Sequence, residues 1–176
     1  MENKKELRKW LDDMKLSHPL LIAGPCSAET ETQVLEIANE LKATDTNVYR
    51  AGIWKPRTRP GNFEGVGSLA LDWLNKVKKD TGILTTTEVA NPNHVELALQ
   101  NNIDILWIGA RTTVNPFIVQ EIAESLKGTD KIILIKNPVN PDLSLWLGAI
   151  ERFYTSNIKN LGAIHRGFST YEKTKY

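Results

Sequence analysis

Ile105-Leu106-Trp107-Ile108-Gly109-Ala110-Arg111 carries the pattern on which the fold is read. Four apolar, β-favouring residues run without a polar interruption, as in a strand covered on both faces. A glycine then ends the run, and an arginine follows at once.

Working outward, the same design recurs along the chain. Apolar runs at residues 132–136, 84–88 and 48–51 end in or carry Lys136, Glu88 and Arg50. The run at 20–23 leads into Gly24-Pro25-Cys26, and the run at 161–165 leads into Arg166-Gly167. Between these strands lie amphipathic stretches at 31–43, 68–81, 92–100, 116–126 and 143–155. In the fourth of these, Phe117, Ile118, Glu121, Ile122 and Ser125 recur at helical spacing. Asn91 is placed to cap the helix that Pro92 opens. Residues 1–17 read as a short helix and a turn, with Trp10, Leu11 and Met14 on one face.

Strands alternating with helices predict a parallel sheet, either doubly wound or closed as a (β/α)8 barrel. The special residues decide. They fall at the C-terminal ends of strand after strand, and a barrel gathers all those ends on one face. A doubly wound sheet offers only the crevice at its switch point, and the chain has no Gly-x-Gly-x-x-Gly or Walker-type loop. The expectation is an α/β chain forming an incomplete (β/α)8 TIM barrel, about six of the eight units, over residues 18–176. An open wall leaves strand edges unpaired. The chain is therefore expected to be truncated, processed, or completed by another chain.

Composition narrows the function classes. The 22 Lys+Arg against 21 Asp+Glu give a net charge of +1, with no basic footprint for nucleic acid and no polybasic membrane signal. The apolar run at residues 19–25 is too short to span a bilayer, and the charged start lacks the apolar core of a signal peptide. A cytoplasmic protein is expected. The single cysteine, Cys26, excludes an internal disulfide. Cys26 is a buried small hydrophobe, a nucleophile with His165 as base, or a metal ligand; its place at the mouth of a strand favours the last.

The cations speak to the ligand. Arg50, Lys55, Arg57, Arg111, Lys136 and Arg166 all lie at strand ends or in the loops just beyond. Guanidinium and ammonium groups gathered in one cleft suit carboxylate and phosphate, and so a multiply anionic ligand or two phosphorylated ones. Lys55-Pro56-Arg57-Thr58-Arg59-Pro60, stiffened by two prolines, reads as a phosphate clamp. Glu88 either pairs with a cation or positions water or a proton. Glu29 and Glu31 read as the first turn of a helix, where negative charge is favourable.

Taken together, Ile22-Ala23-Gly24-Pro25-Cys26-Ser27, Arg50-Ala51-Gly52 with Lys55-Pro56-Arg57-Thr58, Thr87-Glu88-Val89, Ile108-Gly109-Ala110-Arg111, Lys136 and Arg166-Gly167 resemble the 3-deoxy-D-arabino-heptulosonate 7-phosphate (DAHP) synthases of the short type I beta kind. The resemblance implies condensation of phosphoenolpyruvate with erythrose 4-phosphate, giving DAHP and phosphate at the start of the shikimate route to aromatic amino acids. It implies a divalent metal (Mn, Fe, Zn or Co) with Cys26 as a ligand. It also implies phosphoenolpyruvate held by Arg50, Lys55, Ala110, Arg111, Lys136 and Arg166. Lys55 and Lys136 would handle protons, Arg57 and Thr58 would hold the aldose phosphate, and Glu88 would orient water.

The chain departs from the family pattern at Arg59, Glu64, Asn137-Pro138 and His165. These departures resemble a subgroup fused to chorismate mutase, which implies such a domain on the C-terminal side of the full gene product. A homo-oligomer is also expected. The sister 3-deoxy-D-manno-octulosonate 8-phosphate synthases share the chemistry but carry Asn and Ser in the loop where this chain has Pro56-Arg57-Thr58. A non-catalytic module binding phosphorylated ligands is the alternative from another class. With only Cys26 matching a metal ligand, the isolated chain is expected to make no DAHP.

Overall fold

The computed structural model describes residues 9–15 and 19–169. Its elements are α1 (Lys9–Asp13), β1 (Ile22–Ala23), α2 (Glu31–Lys42), β2 (Val48–Arg50), α3 (Leu69–Thr81), β3 (Leu84–Val89), α4 (Pro92–Gln100), β4 (Ile105–Ile108), α5 (Ala110–Thr113), α6 (Pro116–Ser125), β5 (Ile132–Lys136), α7 (Leu143–Thr155) and β6 (Leu161–Ile164). The strands form one sheet in the order β1-β2-β3-β4-β5-β6, and every neighbouring pair is parallel. That order separates the two architectures. A doubly wound sheet reverses its strand order at a switch point, whereas here each strand lies beside its predecessor. The sheet is a sector of barrel wall, with β1 and β6 at its edges.

Side chains on a strand alternate between its faces, and the burial pattern shows what covers each. Tyr49, Leu106, Ile108, Ile133 and Ile135 share one core with residues of the helices, among them Val34, Leu74, Val95, Ile122 and Phe153. The intervening positions Val48, Ile105, Trp107, Ile132 and Leu134 form a second cluster, joined by Ile22, Leu84 and Ile164. Trp10 and Met14 complete it from α1 and the turn beyond. This is the inner face of the wall, and the N-terminal segment is its floor: the Trp10 indole N–H donates to the Leu161 carbonyl at 3.0 Å.

The connecting helices start where side chains satisfy their free N–H groups. Asn91 accepts from the His94 amide at 2.8 Å with Pro92 behind it. Asp142 accepts from the Leu145 amide at 2.8 Å, and Thr30 and Asn115 cap α2 and α6 in the same way. Each such cap contributes about 1 kcal/mol.

The expected elements are present, several with an end moved by one residue, and two differences are larger. β1 is shorter than residues 20–23, because Leu21 is tied to the Asn47 side chain (2.8 Å) ahead of the ladder. α5 was not expected. Its single turn forms because the Gly109 carbonyl accepts from the amides of Thr112 (3.0 Å) and Thr113 (2.9 Å) and from the Thr113 hydroxyl (3.0 Å). Of the helix and turn expected over residues 1–17, positions 1–8, 16 and 17 lie outside the described residues. Among the described residues no helix is long and apolar enough to cross a membrane.

Candidate active site

The inner columns that carry Val48, Trp107 and Leu134 below continue upward into Arg50, Glu88 and Lys136. Two-residue periodicity puts Arg50 in phase with Val48, Lys136 with Leu134, and Glu88 with Leu84; the ladder pairs Glu88 with Trp107. The same strands therefore point hydrocarbon inward at the floor and charge inward at the mouth.

Trp107 sits at the boundary, 6% exposed. Its indole N–H donates to Glu88 Oε2 at 2.7 Å. Lys136 Nζ lies 3.9 Å from that same oxygen and 5.0 Å from the centre of the indole ring. The Arg50 guanidinium carbon lies 5.7 Å from the ring. One indole ring thus supports two cations while its N–H holds the one carboxylate that, among the described residues, lines the cleft. Gly109 makes room for this carboxylate, since a Cβ there would stand 2.2 Å from Glu88 Oε1. Burial lowers the Lys136 ammonium below its usual pKa; Glu88 opposes that shift, and Arg50 and Lys55 add to it.

At the mouth of β1 the backbone turns at Gly24 (φ 139°), where a Cβ would fall 2.1 Å from the Arg50 carbonyl. The turn delivers Cys26 to Lys55, whose ammonium donates to the Cys26 carbonyl at 2.6 Å and to Sγ at 3.4 Å. The hydrogen bond from Lys55 lowers the thiol pKa below 9.0, partly offset by burial and reinforced by the charges of Lys55 and Arg50.

The loop after β2 is pinned at its base. The Lys55 amide donates to the Glu64 carbonyl at 2.8 Å, and the Gly67 amide to the Ile53 carbonyl at 3.0 Å. The Trp54 ring stacks on His94 of α4, with centres 4.0 Å apart and planes within 6°. Beyond that base the loop is exposed, and Arg57 Nε donates to its own Phe63 carbonyl at 2.7 Å. Arg111, in the first turn of α5, reaches across to the Pro56 carbonyl and to the Thr58 hydroxyl (3.3 Å).

These groups enclose an open cleft of about 250 Å³ lined by Lys55, Pro56, Arg57, Glu88, Ala110, Arg111, Lys136, Val139 and Arg166. Most of the residues picked from the sequence meet there. Arg50, Thr58 and Cys26 do not line it but join it through Trp107, Arg111 and Lys55. Arg50 Nε and, at its partner position on β3, Thr86 Oγ1 are buried without a hydrogen-bond partner. Sequence reasoning did not pick Trp107, although strand parity places it among the inward residues. Val139 was passed over as well, and Pro56 was read only as stiffening its loop. His165 packs edge-on to Phe168 at 5.2 Å and tilts toward Trp146 at 6.4 Å. Glu31 opens α2 as expected and pairs with Lys76 of α3.

Among the described residues no group of three or more His, Cys, Asp or Glu side chains could hold an ion. Cys26 offers one thiolate, already hydrogen-bonded to Lys55. The described residues therefore do not by themselves make a metal site. What they do make is a cationic cleft in which the Lys136 ammonium stands 3.9 Å from the Glu88 carboxylate.

The chain matches the model of the family described as the DAHP synthetase I family over residues 15–176. It is 28% identical over 165 residues to phospho-2-dehydro-3-deoxyheptonate aldolase of Thermotoga maritima, covering 93% of this chain and 47% of the relative. A crystal structure of that protein superposes with a TM-score of 0.75 at 27% identity, covering 88% of this chain and 43% of the other. A truncated form superposes at 0.72 and 26% identity, covering 88% and 54%. A 2-dehydro-3-deoxyphosphooctonate aldolase of Desulfatibacillum aliphaticivorans is 40% identical over 98 residues, 52% of this chain and 36% of the relative. The chain spans about half the length of the first two of these relatives. With the fold, the order of motifs and the family match in agreement, this chain belongs to the DAHP synthetase I family.

Proposed function

We propose that the enzyme this barrel sector serves condenses phosphoenolpyruvate with erythrose 4-phosphate, releasing inorganic phosphate and DAHP, in the cytoplasm. The observation that carries the reading is the meeting, in one cleft, of cations from different strand ends: Lys55 after β2, Arg111 after β4, Lys136 at the end of β5 and Arg166 after β6. A ligand with a carboxylate and a phosphate needs such a partner set.

In this reading Arg50, Lys55, Arg111, Lys136 and Arg166 hold phosphoenolpyruvate. Its C3 forms the new bond to the aldehyde carbon. Water adds at C2, and phosphate departs with the C2–O bond electrons. Glu88, fixed by Trp107, orients that water, and Lys136 or Lys55 supplies and takes protons. Arg57 and Thr58 hold the aldose phosphate, and Arg111 links their loop to the phosphoenolpyruvate end of the cleft. Cys26 gives one ligand to the divalent metal that the family resemblance implies. A homo-oligomer and a C-terminal chorismate mutase domain in the full gene product belong to the same reading; the intact and native masses of the natural polypeptide check both.

The test is aldose choice. The natural polypeptide, supplied with divalent metal and phosphoenolpyruvate, is expected to release phosphate faster with erythrose 4-phosphate than with arabinose 5-phosphate, and the isolated chain to make no DAHP. A preference for arabinose 5-phosphate would move the assignment to the octulosonate branch, and turnover by the isolated chain would overturn the account of its metal site.

A further inference from the structure

Asn137 follows Lys136 directly at the end of β5, and its side chain belongs to neither the hydrophobic core nor the cleft lining. It is 0% exposed. A buried carboxamide is costly unless its donors and acceptor are met, and here two of its three hydrogen bonds go to the loop after β6. Asn137 Oδ1 accepts the Arg166 backbone N–H at 2.7 Å. Nδ2 donates to the Gly167 carbonyl at 2.9 Å and to the Pro138 carbonyl at 2.8 Å. The Gly167 carbonyl also accepts from Arg166 Nη1 at 3.3 Å, so the carboxamide and the guanidinium share one oxygen. The backbone repeats the tie on either side: the Asn137 amide donates to the Ile164 carbonyl at 3.1 Å and the Ser169 amide to the Val139 carbonyl at 2.9 Å.

We propose that Asn137 is a positioning residue that holds Arg166 at the cleft, joining the loop after β5 to the loop after β6. The chemistry requires a carboxamide. An aspartate could accept from the Arg166 amide but would set a charged oxygen against the Gly167 and Pro138 carbonyls. A leucine of similar size fills the space but takes the acceptor from the Arg166 amide and the donor from the buried Pro138 carbonyl, and leaves the Gly167 carbonyl to the Arg166 guanidinium alone. A carboxamide is also neutral, so it fastens a cationic site without cancelling its charge. The inference rests on the proposed role of Arg166 in gripping the anion.

The test is a double-substitution cycle on phosphoenolpyruvate affinity, measured by calorimetry on the chain with Asn137→Leu, Arg166→Ala and both. Asn137→Leu is expected to weaken binding at least tenfold when Arg166 is present and less than twofold when it is alanine. Equal losses in both backgrounds would mean that Asn137 only supports the fold, and the proposal would fall. A second measurement needs neither ligand nor substitution. In the unsubstituted chain the Arg166 amide, although its residue is exposed, is expected to exchange with solvent far more slowly than the amides of Arg57 and Thr58; equal exchange would overturn the latch. If the unsubstituted chain binds no phosphoenolpyruvate while its Arg166 amide is protected, the functional reading fails and the latch stands.

Discussion

The lower and upper halves of the inner wall are built from the same strands with the same alternation, yet they do opposite things. Below, Val48, Ile105, Ile132 and Leu134 close against Trp10 and Met14. Above, one pleat further along, Glu88 and Lys136 line a cleft, and Arg50, against Trp107, keeps its Nε without a hydrogen-bond partner. Burying the lower side chains contributes about 1.5–3 kcal/mol each. The upper half concentrates like charge, which costs stability unless an anion offsets it. A parallel strand can therefore separate stability from chemistry along its length, with Trp107 at the boundary.

Removing the boundary is expected to have the largest effect. Trp107→Ala should cost about 3–5 kcal/mol in urea unfolding and free Glu88 from its 2.7 Å tie. Trp10→Ala at the floor should cost roughly 1–3 kcal/mol and leave phosphoenolpyruvate affinity unchanged. If the floor substitution weakens binding as much as the boundary one, the two halves are not separable.

A smaller effect sharpens the comparison at the rim. Burial holds the His94 imidazole below its ordinary pKa of 6.5. The unfolded chain therefore takes up its proton first as pH falls, so His94 lowers stability progressively below about pH 6.5 until the folded-state group is also protonated. Above that window the contribution is constant. His94→Phe, which keeps a ring against Trp54, should flatten the dependence in unfolding experiments at pH 5–7; an unchanged slope would assign it to other groups.

Local physics made much of this legible in the sequence. β4 and β5 fall on the expected residues because they are buried on both faces. α4 and α7 do so because Asn91 and Asp142 cap them. α5 was hidden, since one turn after a glycine has no periodicity to read. The cations of the cleft were legible from their positions at strand ends. Trp107 was not, because an apolar run conceals which member faces the site. Contacts between loops distant in sequence were beyond any local signal. Arg111 meets Pro56 across 55 positions and Asn137 meets Arg166 across 29, and only the folded wall brings them together.

Calorimetric titration of phosphoenolpyruvate into the chain and its Arg50→Ala, Arg111→Ala, Arg166→Ala and Lys127→Ala variants tests the central claim most directly. Lys127 pairs with Glu124 away from the cleft and serves as the control. Convergence of the cations on one ligand predicts that each arginine substitution weakens binding at least tenfold, about 1.4 kcal/mol or more, while Lys127→Ala leaves it unchanged. Equal affinities across all four variants would contradict it.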